Sequence, residues 1–285
     1  MQHANQLFCG DCLEELKKIP DGACRLAYLD PPFNTNLRRT APVSRRDASG
    51  IETPAPQRLA YADSYGAPHA YVAYMRPRVE QLRRVLAADG SLFFHCDWRM
   101  SHHVRLMLDE VFAGTDAAGA APAAFVNEII WHYGLGAARA RRHLLTKHDV
   151  IFWYAKSERY TFNVIRTAPT PAMQAKYRHV DEQGNRYMNS YGKRYLLKGG
   201  KPLDDVWDLP AISPTSAERS GYPTQKPLTL LARIIQLASN EGDVVIDPFC
   251  GSGTTLVAAQ QLGRGWIGID ALPEAIETAR RRLGL

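Results

Sequence analysis

No run of about 18 apolar residues occurs in the 285-residue chain, so nothing in it reads as a membrane-spanning helix. The opening residues, Met1 to Asn5, lack the basic-then-apolar pattern of a secretory signal. Cysteine is scarce and odd in number. Cys9, Cys12, Cys24, Cys96 and Cys250 do not read as a disulfide framework, and the expectation is reduced thiols in a cytoplasm. Cys9-x-x-Cys12 has half the spacing of a zinc or redox site, but no second pair follows, and no metal is expected. A Gly-Lys-Ser/Thr phosphate loop is missing, as is a complete Gly-x-Gly-x-x-Gly dinucleotide turn.

What is present is an ordinary globular balance, 45% hydrophobic and 22% charged. A chain of this length buries enough surface to fold without covalent staples. Thirty-five Lys and Arg against 29 Asp and Glu leave a formal charge of +6. That excess is local. The stretch from Ala137 to Lys201 carries a net +10, leaving −4 for the rest. Charge of this kind permits a polyanionic partner without naming one.

The N-terminal part alternates short apolar runs with helical periodicity. Strands are expected near 7–9, 25–29, 91–95, 125–131 and 149–154, and helices near 12–19, 69–88 and 102–111. Residues 40–68, rich in proline and arginine, read as an irregular, lid-like loop. Residues 160–210 have few aliphatics and many Lys, Arg, Tyr and Gly, and are expected to form a small insert. From 227 on the pattern is helix, strand, helix, strand, helix with short turns, the sign of a parallel sheet.

Two strand ends carry chemistry. Val244 to Asp247 runs into Pro248-Phe249-Cys250-Gly251-Ser252-Gly253-Thr254, a turn whose glycines let a ligand approach a helix N-terminus. The third glycine position is Leu256, and Asp247 would repel a pyrophosphate but could receive an ammonium group. The next strand ends in Asp270, whose carboxylate can accept from both ribose hydroxyls. A nucleoside bearing an amino acid, S-adenosylmethionine, fits this set; a purely structural turn is the alternative. At the other end Asp30-Pro31-Pro32-Phe33 follows a strand that two prolines must terminate. A carboxylate beside a rigid carbonyl offers two acceptors to an exocyclic amino group, and Phe33 can stack on its base. Such a base must leave the duplex. A plain turn explains the tetrapeptide equally well when it is taken alone.

Asp30 to Phe33, then Tyr222 to Pro227, then Asp247 to Thr255 together resemble the β-group DNA amino-methyltransferases, in which the catalytic motif precedes the cofactor motif. The resemblance implies a circularly permuted, Rossmann-like α/β methyltransferase fold, a mostly parallel sheet with helices on both faces. It implies S-adenosylmethionine as cofactor and places Asp30, Pro31, Pro32 and Phe33 in catalysis. It assigns Asp11 to the cofactor's adenine, Thr224 and Lys226 to its methionine moiety, Asp270 to its ribose, and Phe249, Cys250, Gly251, Ser252, Gly253 and Thr254 to the loop around it. Asp at the head of the catalytic motif is typical of adenine-N6 enzymes and Ser of cytosine-N4 enzymes, so adenine is expected and cytosine-N4 is the alternative. RNA or protein-glutamine methylation and a non-enzymatic DNA-binding module are further readings. A cytosine-C5 mechanism is not expected, because the Pro-Cys nucleophile it needs is missing.

Beside a base-modifying site, the basic segment reads as a surface for double-stranded DNA: Arg139, Arg141, Arg142, Lys176, Arg178, Arg186, Lys193, Arg194 and Lys198, with tyrosines interleaved. The expected organisation is one methyltransferase domain over 1–285. It comprises a catalytic half, 1–159, the recognition insert 160–210, and a cofactor-binding half, 211–285. A homodimer and a cognate restriction endonuclease are further partners that the resemblance implies.

Overall fold

The computed structural model describes residues 4–35, 37–41, 44–46, 52–54, 58–113, 125–134, 142, 144–213, 215–222 and 224–285, with backbone alone between 37 and 62. In chain order the first elements are β1 (Gln6–Cys9), α1 (Cys12–Lys17), β2 (Cys24–Leu29), β3 (Leu37–Ala41), β4 (Ser44–Arg46), β5 (Glu52–Pro54) and β6 (Arg58–Asp63). Next come α2 (Pro68–Val85), β7 (Leu86–Cys96), α3 (Ser101–Phe112), β8 (Phe125–His132) and β9 (His148–Ala155). The remainder is α4 (Pro171–Lys176), β10 (His179–Val180), β11 (Arg186–Ser190), β12 (Lys193–Leu196), β13 (Val206–Asp208), α5 (Leu228–Ala238), β14 (Val244–Asp247), α6 (Thr254–Gln261), β15 (Gly265–Asp270) and α7 (Pro273–Leu283).

Eight strands form one sheet in the order β1-β15-β14-β2-β7-β9-β8-β13. Every pairing is parallel except those of β9, which runs antiparallel to β7 and β8. The strands are apolar on both faces because both are covered. One face carries Ala27, Leu29, Leu92, Phe94, Phe152 and Ile267 against α1, α2 and α3. Leu26, Phe93 and Val245, of opposite parity and equally buried, point to the other face, where α5 touches β2 and β7, and α6 touches β14 and β15. This is the α/β architecture the resemblance implies. Helix α2 shows how the pattern specifies burial. Tyr71, Met75, Val79 and Leu82 recur at helical spacing and are all fully buried, each aliphatic contributing about 1.5–3 kcal/mol.

Several expectations need correction. The stretch read as an irregular loop from 40 to 68 contains two antiparallel ladders, β3 with β6 and β4 with β5. Two-stranded ribbons have only edges, so prolines at their ends, such as Pro54, break no central ladder. The strand expected at 91–95 begins at Leu86 and absorbs Gly90, which sits where β2 and β7 shift register. A Cβ at Gly90 would lie 2.8 Å from the Arg25 carbonyl oxygen, so only glycine permits that approach. The expected insert, 160–210, is narrower. Residues 163–205 form a separate compact unit, while Val206–Asp208 pairs with β8 as the sheet's last strand. A three-residue strand with one buried aromatic, Trp207, leaves no periodic trace in a sequence.

Candidate active site

Because seven strands are parallel, their C-terminal tips lie along one edge, and antiparallel β9 brings its N-terminus there too. Asp11, Asp30, Asp97, Asp247 and Asp270 sit at or just beyond five of those tips, and Asp149 at the start of β9. Open α/β sheets bind ligands along this edge.

The first cavity, about 220 Å³, is lined by Gly10, Asp11, Asp30, Pro32, Tyr65, Tyr74, Tyr222, Thr224, Lys226 and the segment from Asp247 to Ser252, with Thr254 and Asp270. Asp247 is 3% exposed. Its Oδ1 accepts from the Phe249 N–H at 3.0 Å, and its Oδ2 from the Thr255 hydroxyl at 2.5 Å. Burial nonetheless pushes its pKa up to about 7, despite those donors. Asp270 accepts from the Gly251 and Leu272 N–H groups, each at 2.9 Å, and burial raises its pKa as well. Glycine is required at 253, where φ is +77° and a Cβ would lie 2.8 Å from that of Ala279. Asp11 caps α1 by accepting from the Leu13 N–H at 2.9 Å and meets Arg78 at 2.6 Å. Two buried carboxylates on the wall of one pocket suit a cationic ligand, which would favour their ionised form.

A wider cavity of about 850 Å³ lies beside it, lined by Phe33, Asp97, Trp98, Arg99, Trp131, Tyr133, Asp149, Thr224, Gln225 and Lys226. Four aromatic rings in its wall suit a planar, apolar-faced ligand. Lys226 and the Asp30 carboxylate join the two spaces: Lys226 Nζ lies 2.5 Å from Asp30 Oδ2 and 5.1 Å from the Phe33 ring centre. The other carboxylate oxygen, Asp30 Oδ1, is buried without a hydrogen-bond partner. Behind it stands His95, fully buried, with Nδ1 3.8 Å from Oδ1. Thr224, β-branched yet at φ +62°, holds a strained backbone where the cavities meet.

Comparison with known proteins settles the family. Residues 24–281 match the N6/N4 DNA methylase family. The chain is a member of that family, a DNA methylase. The DNA adenine methyltransferase YhdJ of Escherichia coli is 28% identical over 98% of this methylase and 83% of the relative. The type II methyltransferase M.HpaI of Haemophilus parainfluenzae is 26% identical over 98% of this chain and 74% of its own. In fold, the methylase is similar to the crystal structure of the M1.HpyAVI-SAM complex, with a TM-score of 0.61, 20% identity, and 98% and 99% of the two chains covered.

The structure brings Asp30 and Pro32 to the first cavity of this methylase, Phe33 to the second, and buries Pro31. Ten of the eleven residues expected around a cofactor line the first cavity, and Gly253 lies in the turn between two of them. Their side chains do not all face a ligand: the Ser252 and Thr254 hydroxyls accept from the Arg282 guanidinium at 3.0 and 2.9 Å. Burial drives the Cys250 thiol well above its usual range, which removes it as a nucleophile. Of the basic residues, Arg139 and Arg141 lie outside the described residues. Arg142 is exposed, as are Lys176, Arg178, Arg186, Lys193, Arg194 and Lys198 in the 163–205 unit. In that unit Arg194 stacks over Tyr187 at 4.2 Å.

Sequence reasoning missed Arg78, Tyr28, Tyr65, Tyr74, Tyr133 and Asp149. Arg78 had a signal, a cation on the buried stripe of α2 between Met75 and Val79. Among the described residues no helix is long and apolar enough to cross a membrane.

Proposed function

We propose that the methylase transfers a methyl group from S-adenosylmethionine to the N6 amino group of adenine in duplex DNA, in the cytoplasm. The observation that carries this is the junction at Asp30, a carboxylate oxygen without a partner between an acidic pocket and an aromatic one. In the acidic pocket Asp11 and Asp270 would hold the adenosine, and Asp247 with the Thr224–Lys226 segment the methionine end. Bound there, the cofactor supplies an electrophilic methyl on a cationic sulfur. Asp30 Oδ1 and the backbone at Pro31 would accept hydrogen bonds from the amino group, drawing its lone pair out of conjugation and towards the methyl. Phe33 would stack on the base, and the remaining aromatics would exclude water. Adenine is favoured over cytosine by Asp at position 30, and YhdJ carries an adenine name.

The exposed cations of the 163–205 unit would contact phosphates. Replacing both Lys193 and Arg194 by Ala should flatten the salt dependence of DNA binding by about 1.8 in log–log slope; an unchanged slope removes them from the interface. A second copy of the chain and a cognate restriction endonuclease stand as further partners, the first open to analytical ultracentrifugation. The deciding experiment incubates the protein with S-adenosylmethionine and unmethylated genomic DNA, then digests to nucleosides for mass spectrometry. N6-methyladenine is expected; N4-methylcytosine would move the reading to the other amino group, and neither would overturn it.

A further inference from the structure

Methyl transfer forms an N–C bond, breaks an S–C bond and leaves the nitrogen with one proton too many. Where that proton goes is a question the buried groups behind Asp30 address. Asp30 is a poor final acceptor, because its Oδ2 is already engaged by the Lys226 ammonium at 2.5 Å. We propose that His95 takes this proton from Asp30 and holds it against Asp149 until the methylated base leaves and water can take it. The proposal rests on the methyl-transfer reading above.

The geometry supports each leg. His95 occupies the penultimate position of β7, fully buried, an unusual place for a titratable ring unless its nitrogens are partnered. Nε2 lies 3.1 Å from Asp149 Oδ2, and Nδ1 lies 2.8 Å from the Tyr28 hydroxyl and 3.8 Å from Asp30 Oδ1. With the ring neutral, Nε2–H donates to Asp149 and Nδ1 accepts from Tyr28. With that lone pair taken by Tyr28 and no proton on Nδ1, the ring offers Asp30 Oδ1 no donor. With the ring protonated, Nδ1–H becomes a donor to that same corner, an imidazolium between two carboxylates. The ring is clamped by Phe33, with centres 5.5 Å apart, and edge-on by Trp131 at 5.6 Å.

The groups facing His95 are Tyr28 and Asp30 from β2, Asp149 from β9 and Tyr133 beyond β8, with Lys226 and Asp247 one step further. Burial lifts the Tyr28 hydroxyl well above its usual range, so it orients the ring without taking the proton. Asp149 stays anionic: burial raises its pKa, but the hydrogen bond and charge of His95, with Lys226 and Tyr133, outweigh this and lower it. Asp149 Oδ1 accepts from the Tyr133 hydroxyl at 3.1 Å, which fixes the carboxylate against the ring, and both residues line the wider cavity.

His95 is therefore a positioning and relay residue that acts through Asp30, and its signature is a pH profile. The single-turnover rate should fall with acid, because a ring already protonated cannot accept. The test uses the full chain, saturating S-adenosylmethionine and unmethylated genomic DNA fragments, with methylated nucleosides counted by mass spectrometry from pH 5 to 9. For His95→Gln we expect the rate constant to drop about 10- to 100-fold, cofactor Kd to stay within twofold, and the acid limb to vanish. A rate within twofold of wild type, or a slower rate with the acid limb intact, overturns the proposal. Asp149→Asn withdraws the counter-charge and should move the limb about one unit or more to lower pH; if His95→Gln does not fold, this variant decides, and an unmoved limb overturns the proposal. Wild-type protein that methylates no nucleoside overturns the parent reading as well, whereas wild-type methylation with unmoved variants overturns the relay alone.

Discussion

The narrower cavity is walled by runs of adjacent residues, Asp247 to Ser252 above all, whereas the wider one gathers single side chains from five separated segments: Phe33, Trp98, Trp131, Asp149 and Lys226. In the first, Asp247 is tied by local hydrogen bonds two and eight residues away, from the Phe249 N–H and the Thr255 hydroxyl. In the second, Asp149 is held from behind by a residue far away in the chain, His95, 54 positions earlier. The part of a pocket wall that one turn supplies, as from Asp247 to Ser252, is preorganised by that turn. A pocket built from many strand tips depends on the register of the whole sheet.

That contrast can be broken experimentally. The largest effect should come from Asp30→Ala, at the junction: transfer lost by about 10³-fold while cofactor binding, read by calorimetry, holds within a few fold. Parallel loss of both would mean that the two cavities are not separable. Gly253→Val should strike the narrow cavity alone, costing about 2–4 kcal/mol in thermal or urea unfolding from the left-handed backbone and the clash with Ala279. Wild-type stability in that variant would show that the turn relaxes freely.

Asp247 supplies a pH test. Its folded pKa, about 7, lies above the unfolded value of 3.8, so through this group the ligand-free protein loses stability as pH rises from about 4 to 7. A cationic ligand favours the ionised form, so cofactor affinity should run the other way, about tenfold weaker at pH 6 than at pH 8. Asp247→Asn should abolish that difference, and a persisting slope would assign it elsewhere. The smallest effect is expected at the rim of the wide cavity. Trp98, half exposed, should raise the KM for DNA about five- to tenfold on change to Ala with cofactor Kd unchanged; a shift in the cofactor Kd instead would merge the two cavities.

Much of the narrow cavity was legible because its determinants are consecutive: two prolines stop β2 behind Asp30, and glycines turn β14 into α6. The family likeness extended that reading to Thr224, Lys226 and Asp11. Arg282, which takes the Ser252 and Thr254 hydroxyls away from the ligand side, was not legible, since it lies on α7 some thirty residues on. The β3–β6 and β4–β5 ladders escaped for another reason, since their strands are short and their stretch is rich in proline, which reads as loop.

By itself the sequence determined the strand-tip carboxylates, the order of the two motifs and the basicity of the middle segment, all properties of residues close together in the chain. The tertiary structure alone decided that Lys226 neutralises one oxygen of Asp30, that His95 stands behind the other, and that Asp149 and Tyr133 connect that ring to the wide cavity. Those contacts depend on sheet order and register, set by burial summed over eight strands, and no local pattern encodes which distant tips become neighbours.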